Sequence, residues 1–208
     1  MAKHPKLMPQ HETAVRTRRA YFDCKFGQLH VRTAFPATGG FDEQVTLFCL
    51  HSREGSSRSF ARFLPEMAAE RSVYAPDLPG FGESDPAPGL GHSEAARAVL
   101  ELATDLRLRQ IDVLGVRFGA AVALDLAASR PELVRRLVLA GTPPMDSIPL
   151  IKQQCLILKP RSDPGEDSQW SRGTLSNSRS LELAQHLGEL FDADPKGLGR
   201  QISSFLKG

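Results

Sequence analysis

The apolar positions of this chain fall into short continuous runs separated by polar, glycine-rich turns. Residues 45–50 (Val-Thr-Leu-Phe-Cys-Leu), 72–75, 110–114, 134–140 and 155–158 read as strands, several of them apolar throughout. A strand covered on both faces shows such an unbroken run. Between them lie stretches with helical spacing. Residues 59–70 bring Phe60, Phe63, Leu64 and Met67 to one side, and Ser93 is placed to cap a helix running to about Leu106. Residues 120–130 are rich in Ala and Leu. Residues 19–23 and 28–35 flank Lys25-Phe26-Gly27 as a hairpin at a sheet edge. Residues 168–175 predict a helix, 180–183 a last strand and 196–206 a closing helix. Strands alternating with helices imply right-handed crossovers and a mostly parallel sheet. Sites on such sheets form at the carboxyl ends of the strands. The glycine- and charge-rich turns at 51–57, 77–85, 115–119, 141–146 and 159–164 all fall there.

Composition changes this picture little. The 208 residues fit one domain with a substantial core, and the net charge of +2 argues for no particular partner. Much of the basic excess lies at Lys3, Lys6, Arg16, Arg18 and Arg19. Residues 1–18 therefore read as a disordered basic head and 19–208 as a single domain. No apolar segment is long enough for a bilayer, and the head lacks a signal-peptide core, so the cytoplasm is expected, with no membrane or nucleic-acid partner. Cys24, Cys49 and Cys155 show no metal-ligand spacing and read as reduced thiols. Gly80 and Gly82 lack the third glycine of a dinucleotide loop and any Gly-Lys-Ser/Thr, which excludes a nucleotide site of that kind. No cofactor and no metal are expected.

The chain is organised around Gly115-Val116-Arg117-Phe118-Gly119, where a strand turns sharply into a helix. With His51-Ser-Arg-Glu-Gly55-Ser-Ser, Asp77-Leu-Pro79-Gly80-Phe-Gly82-Glu-Ser84, residues 130–140 and Asp163-Pro, this stretch resembles the α/β-hydrolase superfamily from about residue 19 onward. The resemblance implies an α/β fold with a central, mostly parallel sheet of about eight strands and helices on both faces. It implies a nucleophile elbow, Gly-x-Ser-x-Gly, with Arg117 standing where the serine belongs. It also implies an acid at Asp163, with Asp146 as a weaker substitute. The oxyanion donors would be the backbone N–H groups of Phe118 and Arg53, and His51 would orient the oxyanion loop. The family's histidine stands before an Asp-x-Pro segment like 192–195. Counting back lands near Gly188, whereas the nearby histidine is His186. The stretch 141–154 is too short for the helical cap that relatives insert, so a capless domain is expected.

A guanidinium stays protonated and has no lone pair to give a carbonyl carbon. Covalent catalysis needs an activated hydroxyl, thiol or carboxylate at the elbow. Two readings of Arg117 stay open. In one the site has decayed and Arg117 folds onto an acid such as Asp163. In the other, Arg117 and Arg53 beside a helix N-terminus form an anion site. The chain therefore reads as a catalytically degenerate hydrolase homologue. It would bind a small anionic ligand, or a protein partner or second copy over the lidless face. The alternative is a hydrolase in which His186 and Asp163 activate water and Arg117 polarises a substrate oxygen.

Overall fold

The computed structural model describes residues 15–37, 44–141, 150–161, 175 and 177–208. Eight strands form one sheet in the order β1-β2-β4-β3-β5-β6-β7-β8. They are β1 (Arg16–Cys24), β2 (Gly27–Phe35), β3 (Thr46–Leu50), β4 (Val73–Pro76), β5 (Ile111–Val116), β6 (Val134–Ala140), β7 (Gln154–Lys159) and β8 (Ser178–Glu182). The β1–β2 and β2–β4 pairings are antiparallel and the remaining pairings are parallel. Among the described residues the helices are α1 (Phe63–Met67), α2 (His92–Asp105), α3 (Phe118–Ser129) and α4 (Pro195–Lys207). This is the α/β-hydrolase fold expected from the sequence.

The alternation of side chains along each strand sends apolar groups to both faces of the sheet. Phe48, Val113, Leu137 and Ile157 pack with α2 and α3. Leu47, Cys49, Leu114, Val138 and Leu158 pack with α1 and α4. The direct connection from β6 to β7 runs from Gly141 to Gln153, and no cap domain is seen among the described residues.

The elements differ from the sequence expectation in a few places. β1 begins at Arg16, so Arg16 and Arg18 belong to a strand rather than to a basic head. The helix expected over 59–70 is split into a 3-10 turn, Ser57–Phe60, and the short α1. Pro65 accounts for the split, because it lacks the N–H and its ring clashes with the carbonyl four residues back. α2 begins at His92 with Gly91 as its cap, whose N–H donates to Glu94 Oε2 at 3.1 Å. Ser93 instead donates to Asp125 of α3 at 2.7 Å, and His92 Nδ1 meets the same carboxylate at 2.6 Å, pinning α2 to α3. The helix expected over 168–175 lies outside the described residues except for Leu175.

The amino ends of the strands hold a charged cluster. Asp112 of β5, fully buried, accepts from Arg71 at 3.2 Å and from Arg135 of β6 at 2.9 and 2.6 Å. Arg71 also donates to the Val45 carbonyl at 3.2 Å. Arg135 and Arg136 continue to the carbonyls of Phe205 and Leu206, which the end of α4 leaves without helical partners. Burial pushes the Asp112 carboxyl up and the Arg71 guanidinium down, so each charge depends on the other being present. Removing one partner of such a pair strands the other. Asp112→Ala should therefore cost about 3–5 kcal/mol in urea unfolding. A loss below about 1 kcal/mol would mean that the cluster is solvated and holds nothing together.

Candidate active site: an elbow with arginine at its apex

The turn from β5 into α3 keeps the geometry of a nucleophile elbow. Arg117 sits at its apex with φ 47° and ψ −103°, outside the allowed regions for an L-residue. Holding a non-glycine residue there costs of order 1–3 kcal/mol. Main-chain bonds enforce it. The Arg117 N–H donates to the Ala140 carbonyl at 2.8 Å, and the Arg117 carbonyl accepts from Ala120 and Ala121 at 2.9 and 3.1 Å. The two flanking glycines are steric requirements. A Cβ on Gly119 would run into the Leu50 carbonyl, and one on Gly115 would run into the Gly119 carbonyl. Phe118, as the first residue of α3, has an N–H with no acceptor inside its own helix.

The loop opposite is built on His51 and Asp77. His51 is buried, and its Nε2 accepts from the Leu78 N–H at 2.9 Å. The proton is therefore on Nδ1, which donates to the Ser52 carbonyl at 2.7 Å. Both ring nitrogens are used to hold the chain, the structural role expected for this residue. Asp77 accepts from the N–H groups of Ser57 at 2.5 Å and Glu83 at 2.8 Å and lies 2.9 Å from His30 Nδ1. Burial pushes the Asp77 carboxyl up, but those bonds outweigh it and hold it below the usual carboxylate range. Ser84 is fixed between the Asp77 carbonyl and the His30 N–H, and Ser56 caps the turn at Arg58. Both hydroxyls are thus engaged with the main chain.

A cavity of about 400 Å³ opens between these loops. His51, Ser52, Glu54, Val116 and Arg117 line it, with Ser59, Phe60, Leu187, Gly188, Phe191 and Asp192. Arg117 is half-buried, and its side chain runs past Gly141, where a Cβ would come within 2.9 Å of Arg117 Cγ. Of the four residues expected to bind, His51 and Arg117 line the cavity. Arg53 and Phe118 do not; the exposed Arg53 guanidinium stacks 4.1 Å over the buried Phe118 ring. Phe191 packs edge-on against Phe60 and Phe63, with ring centroids 4.9 and 5.1 Å apart, and also faces the cavity.

His186 is exposed at the start of the 3-10 turn Leu187–Glu189, its carbonyl accepting from the Glu189 N–H at 3.1 Å. It is not among the residues lining the cavity; Leu187 and Gly188 are. A Cβ built on Gly188 would meet nothing within 4 Å. Spacing to the Asp-x-Pro segment points to Gly188, and the structure places it in the lining of the cavity that Arg117 also lines. Asp163, Asp146 and Trp170 lie outside the described residues. Glu54, Phe60 and Asp192 were not anticipated as lining residues. Glu54 stands inside the oxyanion segment and Asp192 inside the Asp-x-Pro segment, so both motifs carried the signal. Burial pushes the Cys49 and Cys155 thiols up, the latter to about 12.

The chain belongs to the α/β-hydrolase fold family, whose family model matches residues 45–190. Over 84 residues it is 43% identical to the 2-hydroxymuconate semialdehyde hydrolase of Pseudomonas sp. (strain CF600), covering 38% of this chain and 29% of that protein. It is 29% identical over 150 residues to the soluble epoxide hydrolase of Corynebacterium sp. (strain C12), covering 69% of this chain and 52% of that one. The chain spans about a third of the length of the first curated relatives it matches. A CIB-like hydrolase from Thermoplasma acidophilum superposes with a TM-score of 0.78 at 18% identity, over 93% of this chain and 99% of that one. Among the described residues no helix is long and apolar enough to cross a membrane, and no group of three or more His, Cys, Asp or Glu could hold a metal ion.

His51 makes stability depend on pH. Burial pushes its imidazole down, so the folded ring stays neutral while the unfolded ring protonates below about 6.5. The unfolded state then binds more protons, and stability falls as pH drops through that window until the depressed folded value is reached. The slope reaches about 1.4 kcal/mol per pH unit. Urea unfolding at pH 7.5, 6.5 and 5.5 should show a shallower acid loss in His51→Gln, which keeps a donor and an acceptor without titrating. Equal slopes would remove His51 as the cause.

Proposed function

We propose that this chain is a catalytically degenerate α/β-hydrolase-fold protein that holds a small ligand through an anionic group at Arg117 and does not cleave it. The observation that carries this reading is the elbow itself, which keeps the strained main chain at Arg117 and puts there a group with no nucleophilic lone pair. The lack of a side chain at Gly188 in the cavity lining supports it, as does the exposed position of His186. Arg117 is engaged in a further interaction of its own, so a ligand would join it there and not meet an isolated charge. The α3 N-terminus and the Phe118 N–H favour an anion at the same point.

A second reading is favoured by the names of the relatives, which are hydrolases. In it the chain cleaves an ester or similar bond, with His186 and Asp163 activating water and Arg117 polarising the substrate oxygen. It needs His186 to swing from its exposed turn into the cavity.

Fluorophosphonate labelling and p-nitrophenyl acetate turnover separate the two. The wild type and Arg117→Ser should both be silent, because the His51 ring at the cavity spends both nitrogens on the main chain and His186 stands outside it. Arg117→Ser combined with Gly188→His should label, since the cavity has room for the ring. Labelling of Arg117→Ser alone would mean that His186 does reach the elbow. Turnover by the wild type, abolished in His186→Ala, would replace the binding reading with the hydrolytic one. In thermal melts, hexanoate at tenfold its Kd should add about 1.4 kcal/mol, roughly 3–6 °C, and Arg117→Ala should lose this shift.

A further inference from the structure

His30 of β2 lies out of solvent between two carboxylates of the 77–85 loop. Its Nδ1 stands 2.9 Å from Asp77 Oδ2, and its Nε2 stands 3.8 Å from Glu83 Oε2. The ionised Asp77 carboxylate can only accept, so Nδ1 carries a proton. Nε2 is buried and has no hydrogen-bond partner among the described residues. Without a proton, Nε2 turns a lone pair toward the Glu83 carboxylate, and a buried acceptor left unpaired costs free energy. With one, it presents a positive N–H to that carboxylate.

Both carboxylates keep their charge around neutral pH. The hydrogen bond from Arg58, at 3.3 Å, is the main cause that holds the Glu83 carboxyl below its usual range. Burial pushes Asp77 up, and the N–H bonds from Glu83 and Ser57 outweigh it. Three cations oppose a charge on His30 from the same side. They are Arg58 on the 3-10 turn, Arg32 two residues along β2, and Arg19 across from Arg32 on β1. The Tyr21 ring of β1 lies 5.4 Å from the imidazole. An imidazole between charges of both signs is placed to gain and lose its second proton.

That proton would act on the loops around the cavity. Asp77 ties the 77–85 loop to the 3-10 turn through the Ser57 N–H at 2.5 Å and to its own far end through the Glu83 N–H at 2.8 Å. The same loop carries Leu78, whose N–H is held by His51. It also carries Phe81, whose ring lies 5.6 Å from the His51 ring and 5.9 Å from the Phe118 ring.

We infer that His30 is a proton-operated latch. With a proton on Nε2 it bridges Asp77 and Glu83 and clamps the 77–85 loop to β2. Loss of that proton releases the Glu83 end and loosens the loop that supports His51 and Phe118. The latch is independent of what the cavity holds and of the role of Arg117.

The test uses the full chain between pH 5 and 8.5. Nitrogen NMR follows the two ring nitrogens of His30. Amide hydrogen exchange, corrected for its intrinsic pH dependence, follows the Ser57 and Glu83 N–H groups. Nε2 should hold a proton at the acid end and lose it as pH rises. Protection of both amides should fall about tenfold over the same interval, the worth of one buried group left without a partner. Glu83→Gln should flatten the protection profile, because an amide N–H can donate to the neutral Nε2. The Glu83 side chain is 33% exposed, so the fold should tolerate the change. His92→Gln, on the α2–α3 contact, should keep the wild-type profile. Protonation of His51, which removes the acceptor for Leu78, loosens the loop on the acid side, so the sign separates the two histidines. An Nε2 that keeps or lacks its proton throughout the range would overturn the latch. So would a proton lost with no change in protection, or a Glu83→Gln profile as steep as that of the wild type.

Discussion

The site depends on one close approach. α3 starts against the carbonyls of Leu50 and His51, at a distance that only a glycine at position 119 permits. Gly115 clears the same space from the other side, where a Cβ would meet the Gly119 carbonyl. The two glycines let the chain reverse from β5 into α3 within one residue, and that residue must then take a positive φ. Arg117 accepts a conformation that arginine does not prefer because every bond around it is already fixed. The elbow's shape belongs to the backbone of β3, β5 and α3. Its chemistry belongs to one side chain. That separation lets one backbone geometry carry different side chains at its apex.

Much of the fold was legible because strands buried on both faces are written as unbroken apolar runs. The sequence marked β3, β6 and β7 to within a residue or two, and the glycine-rich turns marked the site end of the sheet. The elbow was legible for a different reason, since Gly-x-x-x-Gly between a strand and a helix is a steric signature. What the sequence hid was pairing between distant polar groups. Nothing local to Asp112 announces that Arg71 and Arg135 will enclose it, because the three meet only once β5 and β6 are paired. Arg53 shows the same limit: its place in the oxyanion segment concerns its backbone N–H, and nothing local announced that its guanidinium would stack over the Phe118 ring.

The two ends of the sheet use charge differently. At the amino ends, Asp112 and its arginines are tied to each other and to the last carbonyls of α4, so the charges serve the fold. At the carboxyl ends, the charges of Arg117, Glu54 and Asp192 border open space with aromatic walls. Charges that close a fold are consumed by their partners. Among the described residues Tyr21 and Leu150 are the large apolar side chains left exposed.

The outermost strand has a consequence for how copies of the chain can meet. Among the described residues β1 has one hydrogen-bonding side unpaired, and Arg16, Arg18 and Arg19 stand exposed along it, with Arg19 directly across from Arg32 of β2. An unpaired strand is a template on which a neighbour could add itself. Charged side chains along such an edge disfavour that addition, because a strand from a second copy laid in parallel register would set arginine against arginine.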